Sequence, residues 1–122
     1  LYKYNAVGFL QWGYNFWYSQ FSKHEIDPFT VTDAGKAFPS GDAFVVYPGE
    51  NGQPLNSLRL KVFYDGLQDF AAMRLLESLV GREKALEIIV RDDEFSFLKY
   101  PHGSSYLIAL RKRVNQAIKE NI

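Results

Sequence analysis

Residues 13–42 constrain the fold more than any other stretch, because no clean helical or strand period runs through them. Gly, Ser, Asp, Thr and Pro recur there instead. So long an aperiodic segment is uncommon in a compact domain, and such loops usually carry function. The same region is crowded with rings. Phe, Trp and Tyr are 16% of the chain, and residues 1–47 hold both Trp and most of the Tyr and Phe. Tyr and Trp each carry a polar group that wants a partner, so a cluster of them points to a wet pocket or an interface. The expectation is a long ordered loop tied down by its own aromatics.

The flanks of this loop have clearer periods. Val7 to Trp12 is a short apolar run, and its length favours a buried strand. Ala43 to Tyr47 reads as a second strand, stopped by Pro48-Gly49. Glu50-Asn51-Gly52-Gln53 reads as a turn on its Asn-Gly pair. From Asn56 or Ser57, a cap residue opens a helix that runs to about Val80 and ends at Gly81. Its apolar positions Leu60, Phe63, Leu67, Phe70 and Ala71 are widened by Met73, Leu75, Leu76 and Leu79, so cover on more than one side is expected. A second helix runs from Arg82 to about Val90. A third is capped by Ser104 or Ser105, with Leu107, Leu110, Val114, Ala117 and Ile118 as its inward stripe. Arg111, Lys112, Gln116, Lys119 and Glu120 form its wet face.

The fold class is therefore α/β: two short strands and a long loop, followed by three helices. Two strands make no independent sheet of any stability. The opening Leu1-Tyr2-Lys3-Tyr4-Asn5, with a strand-like run directly behind it, reads as a cut inside a domain. Residues 1–122 are thus expected to be one segment whose partner is the N-terminal remainder of its own domain.

Composition excludes several functions. The 14 basic and 14 acidic side chains leave no net field to attract nucleic acid or an anionic membrane. No apolar run approaches the ~20 residues that span a bilayer. The absence of Cys removes disulfides, thiolate metal sites and a cysteine nucleophile. His24 and His102 have no ligand spacing between them, so no metal site is expected, and no cofactor is assigned. Arg111-Lys112-Arg113 is too short for a nucleic-acid patch. Nothing in the sequence fixes a compartment.

The informative segment is Trp12-Gly13-Tyr14-Asn15-Phe16-Trp17, with Phe38-Pro39-Ser40-Gly41-Asp42 downstream. A pyranose ring has an apolar face of C–H groups and a rim of hydroxyls. An indole covers the face, while a carboxylate and an amide serve the hydroxyls, because Asp accepts and Asn both accepts and donates. Trp12, Asn15, Trp17 and Asp42 are the residue types of such a carbohydrate site. Aromatic clusters also pack cores, and that reading requires Trp12 and Trp17 to be fully buried.

Gly8-Phe9-Leu10-Gln11-Trp12, Asn15, Trp17, Phe38-Pro39-Ser40-Gly41-Asp42 and Val46-Tyr47-Pro48-Gly49 resemble the C-terminal part of glycoside hydrolase family 123 and its relatives of the domain of unknown function 4091. The similarity continues through Ser57-Leu58-Arg59 and Gly66-Leu67-Gln68-Asp69. The resemblance implies a (β/α)8 (TIM) barrel, of which this chain supplies the C-terminal portion. It also implies hydrolysis of N-acetylgalactosaminides, in which the sugar's own acetamido oxygen attacks the anomeric carbon and an adjacent Asp-Glu pair assists. That pair lies earlier in the barrel than the matched segment. Asp93-Glu94 has the right residues in a charged connector and reads as a solvated run, so no catalytic residue is assigned within the chain. Lys61 and Tyr64 depart from the family, which carries an acidic residue and a second Arg there. Arg59 and Asp69 read as structural.

The leading expectation is a piece of a glycoside hydrolase, inactive alone, that supplies the aromatic wall of a sugar pocket. A non-catalytic carbohydrate-binding module and a purely structural domain are the competing readings.

Overall fold

The computed structural model describes residues 1–91 and 96–122. It divides into two compact units, Gly8–Asp65 and Leu1–Val7 with Gly66–Ile122. Asp93 and Glu94 lie outside the described residues.

The first unit is organised around a buried run, Ala43-Phe44-Val45-Val46. β1 (Val46–Pro48) pairs antiparallel with β2 (Pro54–Asn56), with Tyr47 opposite Leu55. The expected turn joins them: the Gln53 amide donates to the Glu50 carbonyl at 3.1 Å, and Asn51 stands at φ 56°. Asn tolerates that left-handed angle better than most residues, and hairpin turns of this hand need it. β2 was not expected. Pro54-Leu55-Asn56 has little strand character of its own, and the turn brings it alongside β1.

The run Val7 to Trp12 is not a strand. Val7 and Leu10 are 98% and 86% exposed, and the described residues give this run no strand assignment. An extended chain becomes a strand only when another strand satisfies its amides, and no described segment pairs with it along a ladder. The loop beyond it is ordered by the buried run instead. Phe16 donates its amide to Ala43 at 3.1 Å, Val45 donates to Tyr14 at 2.9 Å, and Asn15 bridges Phe44.

Helix α1 (Leu58–Val80) begins where the sequence places it. Ser57 is its cap: the hydroxyl oxygen accepts from the Leu60 amide at 3.2 Å and donates to the Val45 carbonyl at 2.6 Å. Arg59 reaches back from the first turn. Its Nε and Nη2 donate to the Phe44 carbonyl at 3.2 and 2.9 Å, and its guanidinium lies over the Phe44 and Tyr47 rings. Arg59 is therefore bound up in holding the loop to the helix. Lys61 and Tyr64 are exposed.

The second unit contains the rest of α1, α2 (Arg82–Val90) and α3 (Ser104–Glu120). Its core is Tyr2, Ala72, Leu76, Ala85, Ile89, Leu110, Val114, Ala117 and Ile118. Burying a side chain such as Leu76 is worth ~1.5–3 kcal/mol. Among the described residues, cover on more than one side of α1 is not found. Ala72 and Leu76 are its only buried residues among those described, while Leu58, Val62, Tyr64 and Leu67 are exposed. Leu107 is also exposed, one turn before the part of α3 that packs. Gly103, not a serine, occupies the cap of α3, with no side-chain cap bond among the described residues. Arg111 leaves the expected wet face to pair with Asp69 on α1 at 2.6 Å. Arg113 donates to the Ile88 and Ile89 carbonyls, two of the acceptors left open at the end of α2.

The Tyr2 ring of this core carries a charged collar. Arg74 and Arg82 lie over it at 5.7 and 5.2 Å, and Arg82 also donates to the carbonyls of Tyr2 and Lys3. Glu77 joins the two arginines at 3.2 and 3.5 Å. The Tyr2 hydroxyl is buried beside Glu77 in a geometry short of a full hydrogen bond. Burial, and then Glu77, push its pKa up to about 12. Contact with the Tyr2 hydroxyl, followed by the two arginines, holds the Glu77 carboxyl below its usual range.

Candidate functional site

The residues expected to meet a sugar all lie in the first unit. Trp12 and Asp42 are joined directly: the indole Nε1 donates to Asp42 Oδ2 at 2.9 Å. Gln11 fixes the same aspartate from the chain side, donating its amide to the Asp42 carbonyl at 2.8 Å. Trp12 is further gripped by two rings, Phe38 at 4.9 Å and Phe16 at 5.6 Å, both tilted 59° to it. It nevertheless remains 47% exposed. An indole held on three sides and open on another has an orientation set before any ligand arrives.

Trp17 has a different place. It is half-buried, and its Nε1 donates to the Val46 carbonyl at 3.0 Å, so it ties the loop to β1. Asn15 is exposed. Its backbone bridges Phe44, and its carboxamide makes no hydrogen bond to a described residue. The four expected residues are thus brought to one loop system, with Trp12 and Asp42 in contact and Asn15 and Trp17 attached through the buried run. Neither indole is sealed inside the protein.

Two close approaches shape this site. A Cβ on Gly13 would stand 2.5 Å from the Ala43 carbonyl, so no side chain fits where the Trp12 segment crosses the buried run. Gly41, at φ 81°, packs against the Arg59 guanidinium, where a Cβ would come within 2.8 Å of its central carbon. Glycine meets both demands, the left-handed angle and the missing side chain. These two glycines let the Asp42 and Trp12 backbones come together.

The sequence placed Phe16 and Phe38 in the informative segment without giving them a role, and Tyr18 was not singled out. Phe16 touches Tyr18 at 5.9 Å, which extends the contacts around Trp12 into a row of rings from Phe38 to Tyr18. The available signal was the placement of aromatics at 12, 14, 16 and 18, since alternate residues of an extended chain share a face. Tyr18 lies on a small hairpin-like loop, bridged to Glu25, with Ser19 donating to the His24 carbonyl at 2.9 Å.

The family model for the glycoside hydrolase 123 catalytic domain matches residues 1–76. The chain belongs to glycoside hydrolase family 123. No match was found among curated proteins. The family 123 region takes in the whole aromatic loop, the β1–β2 hairpin and α1 as far as Leu76. As a family 123 sequence, the chain is assigned to glycoside hydrolases, whose substrates are carbohydrates. Two open grooves lie in the second unit. One, of about 1050 Å³, is lined along α2 and α3 by Glu87, Arg91, Lys112 and Arg113 among others. Another, of about 670 Å³, runs along α1 and α3. Among the described residues no cluster of His, Cys, Asp and Glu is suited to a metal, and no helix is long and apolar enough to cross a membrane.

Proposed function

We propose that this chain is the C-terminal portion of a (β/α)8 barrel glycoside hydrolase acting on N-acetylhexosaminide-type glycans, and that Trp12, Asn15, Trp17 and Asp42 build the aromatic wall of its sugar pocket. The half-exposed indole of Trp12, pinned by Asp42 within a family 123 region, carries the proposal. Its free face covers the C–H side of a pyranose and excludes water. Oδ1 of Asp42 and the Asn15 carboxamide, both without hydrogen bonds to described residues, accept from or donate to hydroxyls on the rim. Trp17 works from behind, holding the loop on β1.

This segment contributes binding and orientation rather than proton transfer. In an acetamido-assisted hydrolysis the substrate provides its own nucleophile, so the protein must hold the ring where the acetamido oxygen can reach the anomeric carbon. Fixing such geometry is worth several kcal/mol of the barrier. The acid pair belongs to the N-terminal remainder of the barrel. The exposed apolar side chains Leu10, Leu58, Val62 and Tyr64 of the first unit support that partner, since apolar surface left open to water gains from being covered.

The test is Trp12→Ala in the whole barrel enzyme that includes this segment, assayed with an aryl N-acetylgalactosaminide. We expect kcat/KM to fall by about tenfold or more, which is ~1.4 kcal/mol of lost transition-state binding. An unchanged kcat/KM would remove Trp12 from the pocket.

A further inference from the structure

Beyond Trp12, the row of rings has a second open member. Tyr18 is 38% exposed and touches Phe16, whose ring is 5.6 Å from Trp12 and 5.9 Å from Tyr18. The two open rings are held in the same manner. Asp42 accepts from the Trp12 indole at 2.9 Å, and Glu25 accepts from the Tyr18 hydroxyl at 3.5 Å, the latter a long bond. Backbone ties keep Tyr18 in place: it bridges Glu25, Ile26 donates to the Trp17 carbonyl at 3.1 Å, and Ser19 donates to His24. Phe16 between them is only partly exposed and supports both.

Rings placed only for packing sink into the interior, because exposing a large aromatic forgoes the burial that stabilises the fold. Here Phe16 is the more covered, while Trp12 and Tyr18 are open. A single pyranose has about the footprint of one aromatic ring, so it cannot cover Trp12 and Tyr18 together. We propose that Tyr18 is a second sugar platform, and that the site takes a glycan of at least two rings, with the terminal residue on Trp12 and the next on Tyr18. The proposal rests on the reading of Trp12 as a sugar-facing residue. Tyr18 then determines chain-length specificity. It touches the leaving portion of the substrate and not the bond that breaks.

The experiment compares, in the whole barrel enzyme, calorimetric affinities for N-acetylgalactosamine and for an uncleavable sulfur-linked disaccharide carrying N-acetylgalactosamine at its non-reducing end. The unsubstituted protein should bind the disaccharide about tenfold more tightly, the scale of one well-formed aromatic contact. Tyr18→Ala should erase that preference and leave the monosaccharide affinity unchanged. Tyr18→Phe, which keeps the ring and loses only the bond to Glu25, should retain most of it. Equal affinities for the two sugars in the unsubstituted protein, or a Tyr18→Ala variant that weakens both alike, would overturn the second platform while leaving Trp12 in its role. If Trp12→Ala leaves both affinities unchanged, the underlying pocket reading fails and the second platform fails with it.

Discussion

The indole nitrogen of Trp12 and the carboxylate of Asp42 meet at 2.9 Å, and this bond ties the two side chains together. It satisfies the polar edge of a half-exposed ring and uses only one of the two carboxylate oxygens. Asp42 is therefore a positioning residue for Trp12, and its other oxygen makes no hydrogen bond to a described residue.

Replacing Asp42 separates those roles. Asp42→Asn keeps a carbonyl oxygen for the indole, whereas Asp42→Ala leaves Nε1 without its acceptor. We expect Asp42→Ala to loosen the Trp12 ring, seen as a drop in its fluorescence anisotropy, and to weaken N-acetylgalactosamine binding about tenfold. Asp42→Asn should preserve the anisotropy and lose less affinity. Equal anisotropy in all three proteins would show that Phe16 and Phe38 suffice to hold the ring.

At the crossing below this pair, Gly13 leaves no space for a methyl group, with the Ala43 backbone 2.5 Å from where it would stand. Backbone cannot swing aside as a flexible side chain can. Gly13→Ala should cost about 1–3 kcal/mol, as overpacked sites do, measurable as a lower urea midpoint. Gly35→Ala provides a contrast: nothing lies within 4 Å of its added carbon, although φ 77° strains it. A Gly13→Ala protein as stable as the unsubstituted one would mean that the crossing is looser than described.

The collar around Tyr2 makes stability sensitive to pH at both extremes. A phenol whose folded pKa is raised to about 12 favours folding fully below its ordinary value of 10.0, and that contribution is lost as pH climbs from 10 through 12. Glu77, held below its ordinary 4.5, acts in the opposite sense: its contribution is present above that value and is lost as pH falls through its lowered folded pKa. Melting temperatures across pH should therefore fall at both ends. Tyr2→Phe should flatten the alkaline limb. An alkaline limb identical in the Phe variant would assign that loss to other groups.

Local signals were legible in the sequence. Gly81 divides α1 from α2, Asn51-Gly52 turns the hairpin, and Ser57 caps α1, because each depends on residues within a few positions. Val7–Trp12 misled because a strand is made by its neighbour, and apolar residues alone cannot supply one. α1 misled for a related reason: its wide apolar surface states a need for cover and does not say whether the described chain meets it. At the candidate site, the types of Trp12 and Asp42 could be read from the sequence. Their mutual bond could not, since it depends on two glycines allowing distant stretches of backbone to approach. The alternation of rings through Tyr18 was visible but hidden among loop-forming residues.

The hydroxyl of Ser57 gives to Val45 and takes from Leu60 at the same moment. One oxygen thus serves as a rivet through two parts, the start of a long rod and the stretch on which the aromatic loop is hung. Stiffness in α1 passes to that loop without any slack residue between them. A loop rich in unusual backbone angles can then hold a defined shape by borrowing its rigidity from the helix, and fraying of the first helical turn would be felt first as wobble among the rings.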